Sequence, residues 1–385
     1  LIHPLAGGIL GGIISYFLHL YPPAFVVLRA LTPKKYSFRE FKRVFWQDRY
    51  CKPGKLVAIS CYTSNAYEAY KIAKDFKAVG STVIMGGPHV TYLPDEALQY
   101  CDSVVIGEAE GVWQQVVQDY ERGELKETYS GLGQEDFYEA VHKELLDSSP
   151  EVIKEFIEPT RGCKFRCSFC TIPSLSSGRV RKKPVEEVVA LVRKAEIKYR
   201  HFTFLDNNIY NDPAYAKDLF RALKPLNITW QSFCTIDIAK NDEVLRLAKE
   251  SGCHMLVFGY EIFGNSAEDK QKGKFSMADR YKQYTDKVQS YGIKVRGNFI
   301  YGFDSDNWKT LGELWKFAFS IRPLIAVVGI LTPLPGSKLY DDMLAQDRIT
   351  NLNWRRYDVL NLVFCHKKFS EQFLSTIFFF FISLP

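Results

Sequence analysis

Three cysteines stand close together near the middle of the chain, in the segment Cys163-Lys-Phe-Arg-Cys167-Ser-Phe-Cys170. The spacing C-x3-C-x2-C places three thiols in one short loop that follows a strand-like run. Thiolates are the usual ligands of iron–sulfur clusters, and three of them can bind three irons of a cubane cluster. No fourth cysteine lies nearby, so one iron would stay open to a small chelating ligand. A structural zinc site is the alternative, but such sites pair two C-x2-C units or add histidine, and neither follows here.

The composition is that of a globular protein with two domains. The chain has 385 residues, 46% hydrophobic and 24% charged, with a formal net charge of +6, which excludes a disordered chain. The densest basic run, 179–183, is interpreted as a solvated loop, so no nucleic-acid partner is expected. The other six cysteines are scattered like small buried hydrophobic residues rather than a disulfide framework, which indicates a reducing compartment and therefore the cytoplasm.

The first third of the chain alternates short apolar runs with helical patterns. This succession predicts a doubly wound α/β sheet that binds its ligand at the carboxyl ends of parallel strands. The predicted strands are 25–28, 56–59, 82–85 and 103–106. The predicted helices are 37–46, 66–79, 94–100 and 111–120. Unusual turns follow three of these strands, at 60–63, 86–89 and 107–110.

A second α/β series follows and predicts a partial (β/α)6 barrel with its catalytic groups at the carboxyl ends of the strands. Its predicted strands are 155–158, 202–205, 228–232, 255–260, 295–301 and 326–331. Its predicted helices include 184–198, 215–223, 242–250 and 279–291. The expected domain ranges are 1–125, a linker over 126–152, 153–350 and a C-terminal extension over 351–385.

Both ends of the chain carry apolar runs. The stretch 6–18 has no basic flank, so a buried helix is a better interpretation than a membrane span. The strand that should precede that helix in a doubly wound domain is expected to be missing. The apolar run 378–381 is interpreted as the end of a fragment, and we expect no stable membrane span.

With the cysteines and this domain order established, the sequence resembles the radical S-adenosylmethionine (SAM) superfamily, in the subgroup with an N-terminal flavodoxin-like cobalamin-binding domain. The C-x3-C-x-aromatic-C form of the motif, with Phe169 before Cys170, carries the resemblance. It implies a [4Fe-4S] cluster held by Cys163, Cys167 and Cys170 as the catalytic ligands. SAM would chelate the open iron through its amino and carboxylate groups, and an electron would cleave it to methionine and a 5′-deoxyadenosyl radical.

The resemblance also implies contacts to SAM. Members often carry two acids where this chain has Asp206 and Asn207, and Gly259-Tyr-Glu261 matches a Gly-x-Glu-Ser motif with Ile262 in place of the serine. The implied contacts are Phe169, Asp206, Asn207, Glu261, Gly297, Phe299, Gly302 and Pro333. Because both acids follow apolar strand runs, Asp206 and Glu261 are expected at the barrel rim without deep burial, binding SAM rather than supporting the fold.

Cobalamin is the third implied cofactor, and a domain that keeps the shape without the ligand is the alternative. The implied cobalamin contacts are Ser60, Thr63, Gly86, Gly87, Gly107 and Glu108. Glycines there would let the backbone approach a large flat ligand. His89 is interpreted as a turn residue and not a cobalt ligand, because the chain lacks the D-x-H-x-x-G motif.

The resemblance implies an enzyme that transfers a methyl group from methylcobalamin to an unactivated carbon. Oxidative ring closure, as in the anaerobic magnesium-protoporphyrin ester cyclase, is the alternative within the family, and a non-catalytic iron–sulfur electron carrier is the alternative outside it. The expected partners are a small-molecule substrate (a lipid, a tetrapyrrole or another natural product) and a reductase, ferredoxin or flavodoxin as electron donor.

The cysteine motif makes a direct prediction. Anaerobically reconstituted protein should bind about four irons and four sulfides, and the triple Ala variant of Cys163, Cys167 and Cys170 should lose the visible cluster absorption together with all SAM cleavage. Single Ala variants at Cys61, Cys234 and Cys253 are the controls and should keep both. A triple variant that retained its cluster would disprove the assignment.

Overall fold

The structure, a computed structural model, describes residues 1–3, 23–42, 51–133, 138–261, 273–370 and 373. The chain forms two compact units, neither of them continuous in sequence. The first comprises Leu1–Asp147, Pro333–Asp342 and Asn351–Asp358, and the second comprises Ser148–Thr332, Met343–Thr350 and Val359–Pro385. The predicted helix at 6–18, Ile262 and the run at 378–381 lie outside the described residues.

The first unit is built on a parallel sheet. Its strands are β1 Ile2–His3, β2 Phe41–Lys42, β3 Leu56–Ser60, β4 Thr82–Gly86, β5 Ser103–Gly107 and β6 Thr128–Gly131, in the spatial order β2-β1-β3-β4-β5-β6. The central residues of β3 and β4 are buried, because helices cover both faces of such a sheet. The flavodoxin-like prediction is confirmed, but the expectation of a missing first strand is wrong, since β1 pairs with both β2 and β3.

The helices of the first unit correct two predictions. They are α1 Pro23–Leu31, α2 Ala66–Ala78, α3 Pro88–Tyr92, α4 Pro94–Leu98, α5 Trp113–Arg122 and α6 Tyr138–Asp147. The predicted strand 25–28 lies inside α1, because a short apolar run fits a buried helix as well as a strand, and Pro23 occupies the first helical position, which proline favours. Residues 37–40 are irregular and 41–42 form β2, so the predicted helix 37–46 is wrong for those residues.

The range predicted as a linker is mostly structured. Within it, β6 extends the first sheet beside β5, and α6 is linked to α1 by an ion pair between Glu144 and Arg29, 3.2 Å apart. The polar composition misled the prediction because β6 buries only alternate residues, such as Tyr129, and leaves the others exposed. A further helix, α7 Pro150–Glu155, opens the second unit and replaces part of the strand predicted at 155–158.

The second unit contains five parallel strands that give the predicted partial barrel. They are β9 His201–Phe204, β10 Thr229–Cys234, β11 Cys253–Glu261, β12 Lys294–Tyr301 and β13 Ile325–Ile330, in the spatial order β13-β12-β11-β10-β9. A separate antiparallel pair is β7 Thr160–Arg161 with β8 Arg181–Lys182. A single parallel bridge between Ile157 and Phe204 stands where the sixth strand was expected. The helices are α8 Ile172–Leu175, α9 Val185–Glu196, α10 Pro213–Leu223, α11 Asp242–Glu250, α12 Tyr281–Ser290, α13 Trp308–Ser320 and α14 Lys338–Ala345, the last shared by both units.

Aromatic contacts identify the side of the barrel strands that packs on the helices. Trp230 of β10 stacks on Phe220 of α10, with ring centroids 5.0 Å apart. Phe299 of β12 stacks on Tyr260 of β11 and meets Phe317 of α13 edge-on. Since side chains alternate along a strand, the residues between these aromatics face the barrel interior. No helix among the described residues is long and apolar enough to cross a membrane.

Candidate functional site

The three motif cysteines lie in the loop that connects β7 to β8, which we call the cysteine loop (residues 162–180). Cys163, Cys167 and Cys170 are all half-buried thiols outside any disulfide, and the Cys170 amide donates a hydrogen bond to the Cys167 carbonyl, 3.1 Å away. This turn keeps two of the cysteines on one short bend. Three accessible thiols on one loop fit a cubane cluster by donor chemistry and accessibility.

Among the residues that the structure describes, no three His, Cys, Asp or Glu side chains are grouped as a site for a single metal ion. The cysteine loop is therefore a candidate cluster site by the type and spacing of its thiols.

Gly162, directly before the first cysteine, cannot be replaced by a larger residue without moving the backbone. Its φ is +99°, in the region that favours glycine, and a Cβ atom there would collide with the Arg179 carbonyl oxygen. The two ends of the cysteine loop therefore meet at Gly162. This close approach explains a glycine at that position better than any contact with a ligand.

Amide side chains from the connection between β9 and α10 hold the backbone on both sides of Cys163. Asn211 accepts a hydrogen bond from the Lys164 amide at 3.0 Å and donates one to the Gly162 carbonyl at 3.0 Å. Asn207 accepts from the Gly162 amide at 3.2 Å. We call these three contacts the asparagine clamp. It fixes the path of the chain through Cys163, which the sequence alone did not predict.

Asp206 is an anchor of the fold, and its predicted place at an exposed rim is wrong. The residue is 2% exposed, and its Oδ1 accepts hydrogen bonds from both the amide and the hydroxyl of Thr160, the amide at 2.8 Å. Burial raises the pKa of Asp206 to about 7, although the Thr160 hydrogen bonds oppose the shift. Asp206 therefore ties β7, where the cysteine loop begins, to the end of β9.

The basic run 179–183 is not a solvated loop, which corrects another prediction. Arg181 and Lys182 form β8, and Lys183 is only 1% exposed. Burial lowers the pKa of Lys183, while the carboxylates of Glu158, Glu187 and Asp206 act in the opposite direction. A buried lysine requires such compensation, so these charges stabilise the base of the cysteine loop.

Glu261 fits its predicted place better than Asp206 does. It ends β11 just after an irregularity in the register with β12, is half-buried, and has φ +61°, which is unusual for a residue with a side chain. Burial raises the pKa of Tyr281, and electrostatic interactions with Glu261, Tyr260 and Cys167 raise it further. Glu261 and this motif cysteine therefore lie in the neighbourhood of the same tyrosine.

Gly297, Phe299 and Pro333 are three further residues that were predicted to contact SAM. Gly297 and Phe299 face the helical layer, because a Cβ at Gly297 would lie 3.2 Å from the Tyr260 ring and Phe299 is 1% exposed against helix α13. Their predicted role is therefore not supported. Pro333 is buried in the first unit.

Gly302 does lie near the cysteine loop. It turns the chain at the end of β12 with φ +117°, and the next residue, Phe303, meets Phe169 edge-on at 5.9 Å. The buried Asp306 holds this turn by accepting hydrogen bonds from the amides of Gly302 and Phe303. Sequence analysis missed Phe303 and Asp306.

The residues predicted to contact cobalamin meet at one edge of the first sheet. Ser60 and Gly86 are register partners at the ends of β3 and β4, and Gly107 ends β5. The edge presents small residues, which fits a large flat ligand. However, a Cβ at Gly87 would lie 2.7 Å from the Cys61 carbonyl oxygen and one at Gly107 would lie 2.8 Å from Leu132, so these glycines are required by the packing of the chain itself. Glu108, which follows Gly107, is half-buried.

His89 is completely buried, and both of its ring nitrogens have partners. Nδ1 lies 3.3 Å from the Thr63 hydroxyl, and Nε2 lies 3.0 Å from the Tyr70 hydroxyl. Glu96, 3.8 Å from Nε2, also accepts a hydrogen bond from Trp354 at 2.8 Å, and the Trp354 ring covers His89. Burial alone would raise the pKa of Glu96, but hydrogen bonds from His89, Trp354 and Tyr70 lower it. The local hydrogen bonds predicted for His89 agree with this geometry, but the residue lies in helix α3 and not in a turn.

The asparagine clamp makes a prediction about cluster retention. Replacing Asn211 with Ala removes both of its contacts with the loop backbone and leaves buried amide groups without partners, so the cluster should be lost several-fold faster on mild chelation. Asn241→Ala is the control, because the Asn241 side chain caps α11 by accepting a hydrogen bond from the Val244 amide, and its other partner is the Tyr210 side chain rather than the backbone of the cysteine loop. That variant should lower stability by about 1 kcal/mol with normal cluster retention. Equal loss of iron in both variants would show that the clamp has no special role.

The comparisons with known proteins agree with this arrangement. The family model described as Radical SAM superfamily matches residues 157–318, and that of the B12 binding domain matches residues 53–117. Bacteriochlorophyllide d C-12(1)-methyltransferase of Chlorobaculum tepidum is 30% identical over 329 residues, covering 82% of this chain and 71% of that protein. The anaerobic magnesium-protoporphyrin IX monomethyl ester cyclase of Cereibacter sphaeroides is 24% identical over 387 residues, covering 88% and 62%.

A solved structure shows the same fold. The radical S-adenosylmethionine methyltransferase TsrM from Kitasatospora setae, with cobalamin and a [4Fe-4S] cluster bound, has a TM-score of 0.69 at 13% identity, covering 90% of this chain and 77% of that one. The fold described above therefore has a solved counterpart. The chain belongs to the radical SAM superfamily, as an enzyme that uses a [4Fe-4S] cluster and SAM and carries a B12-binding domain.

Proposed function

We propose that the protein transfers a methyl group from methylcobalamin to an unactivated carbon of a tetrapyrrole. The observation that carries the proposal is the 30% identity to a bacteriochlorophyllide methyltransferase over a span that includes both the B12-binding region and the cysteine loop. When bound, the cluster and SAM supply a radical that removes hydrogen, and cobalamin supplies the methyl group.

The chain's own residues would hold and shield these groups. Cys163, Cys167 and Cys170 would bind the cluster, with the asparagine clamp fixing the first of them. Glu261 would accept hydrogen bonds from SAM, since it is half-buried, negatively charged and close to Tyr281. Phe169 and Phe303 would cover the cluster with an apolar contact that limits access of water.

The contacts with cobalamin are part of the proposal. Ser60, Gly86 and Glu108 lie at the carboxyl edge of the first sheet, where doubly wound folds bind ligands. Thr63 also lies there, but it is nearly buried beside His89 and would contact the ligand only through a small exposed area. We propose that the edge binds the corrin through backbone and small polar groups, without a histidine below the cobalt.

Ring closure is the second candidate, because the chain is also similar to an ester cyclase of the same superfamily. The methyltransferase is favoured by higher identity and by coverage of a larger share of the relative. An electron carrier is disfavoured because a carrier needs neither a B12-binding domain nor Glu261 at the strand end. The electron donor would be a reductase, a ferredoxin or a flavodoxin. Nine cysteines outside any disulfide favour the cytoplasm as the compartment of the protein.

The proposal is tested by turnover under anaerobic conditions. Reconstituted protein with SAM, methylcobalamin, a chemical reductant and bacteriochlorophyllide d should yield 5′-deoxyadenosine and a pigment heavier by one methylene unit. Omission of cobalamin should stop methylation of the pigment. The triple cysteine variant should form neither 5′-deoxyadenosine nor methylated pigment. Loss of two hydrogens with formation of a new ring would instead establish the cyclase.

His89 gives a separate prediction for the bound cofactor. Because its ring nitrogens are engaged and covered, the electron paramagnetic resonance spectrum of the Co(II) form should show no nitrogen splitting from the protein. His89→Gln keeps a polar side chain of similar reach and should leave the spectrum unchanged, although the protein should melt at a lower temperature. A nitrogen splitting that disappears in this variant would refute the base-off, ligand-free state.

A further inference from the structure

Among the described residues, the interior face of β12 carries two polar side chains beside apolar neighbours. Gly297 and Phe299 of β12 face the helices, so the alternate residues Arg296 and Asn298 face the interior. In the strand register, Arg296 lies beside Val257 of β11 and Ile325 of β13. Asn298 lies nearer to the carboxyl edge, beside Gly259 and Val327. Both residues belong to the second unit.

Arg296 has no acidic partner among the residues that the structure describes. Its Nε is buried without a hydrogen bond, and burial alone lowers the pKa of its guanidinium. The Asn298 Oδ1 is likewise buried and unpaired within the described ranges. Polar groups removed from water are normally paired, because leaving them unpaired costs free energy. Two neighbouring unpaired polar side chains therefore indicate a place where a ligand completes the pairing.

The surroundings restrict the kind of ligand. Large apolar side chains on the interior face are exposed, with Phe233 at 46%, Ile325 at 47% and Val327 at 39%, the last two on the edge strand β13. The register places Phe233 across from Val257, in the same layer as Arg296. An exposed apolar surface beside a partly buried arginine suits a molecule that is apolar over most of its area and ends in an anion.

We propose that Arg296 and Asn298 form a binding site for a carboxylate of the substrate, inside the barrel and below its carboxyl edge. Arginine pairs with a carboxylate through two parallel hydrogen bonds, and the Asn298 amide can present its NH2 group by turning over. Chlorophyllides carry a free propionate on an apolar ring and match this description. The inference rests on the proposed function for the choice of pigment but not for the existence of the carboxylate site.

The carboxylate of SAM is a second source of the same chemistry, and position argues against it. Arg296 stands five residues before Tyr301, the end of β12, which corresponds to about 16 Å along a strand. The cysteine loop meets the chain beyond that end, at Phe303. The carboxylate of a SAM molecule bound at the cluster would lie near the strand ends, whereas the backbone of Arg296 lies further inside the barrel, away from those ends.

The test compares bacteriochlorophyllide d with its propionate methyl ester. In the wild type the free acid should bind more tightly, and Arg296→Gln should weaken its binding by about tenfold to a hundredfold with little effect on the ester. Asn298→Leu should reduce the preference for the acid to a smaller extent. Arg221→Gln is the matched control, since Arg221 is an exposed arginine paired with Asp218 and Glu243, and it should change nothing.

Pigment binding measured by fluorescence, SAM binding and turnover together separate the possible failures. If Arg296→Gln weakens SAM binding and leaves the preference for the acid intact, the site belongs to SAM and the inference is wrong. If the wild type does not distinguish acid from ester, the inference is also wrong. If no pigment is methylated but the acid still binds through Arg296, the proposed function fails and the carboxylate site stands. Arg296→Lys keeps the charge and should retain part of the preference, so the carboxylate site can be tested even if the glutamine variant folds poorly.

Discussion

The site depends on a few hydrogen bonds that hold an irregular loop in place. The cysteine loop contains one short helix and no strand pairing between its ends other than β7 with β8, so the backbone around Cys163 has no regular ladder to fix it. Asn211 and Asn207 supply that constraint from the connection between β9 and α10. Asp212, the next residue, caps α10 through two backbone amides. The clamp is therefore attached to a rigid helix start, and the loop takes its position from the barrel.

Because side chains alternate along the barrel strands, aromatic packing and ionisable side chains lie on opposite faces of the sheet. On one face, Trp230, Tyr260 and Phe299 form aromatic stacks, and such pairs each add about 0.5–1.5 kcal/mol beyond simple burial. On the other face of β12 stands the ionisable side chain of Arg296. The aromatic face stabilises the strands, so the interior face can carry charged groups that a fold alone would not need.

Much of the fold and of the site could be predicted from the sequence. The spacing of the cysteines pointed to the cysteine loop as the candidate cluster site, because metal chemistry restricts residue type and spacing at once. The parallel strands were predictable from continuous apolar runs, but the run at 25–28 was misassigned, since apolarity does not distinguish a buried helix from a strand. The burial of Asp206 and the direction of Gly297 could not be predicted, because a motif gives order along the chain and not which way a side chain points. Asn211 and Lys183 belong to no recognisable sequence motif. They lie beside the cysteine loop only because the folded chain places their segments there.

The first unit takes part of its structure from far along the chain. Residues Asn351–Asp358 belong to it, Tyr67 donates a hydrogen bond to the Leu352 carbonyl, and Trp354 covers the buried histidine of α3. A domain usually folds as it emerges during synthesis, but here the polar cluster around that histidine stays uncovered until residue 358 has been made. The whole barrel sequence is synthesised in the meantime. Maturation of the N-terminal unit is thus a late event, and a fragment ending at residue 147 would lack the segment that closes it.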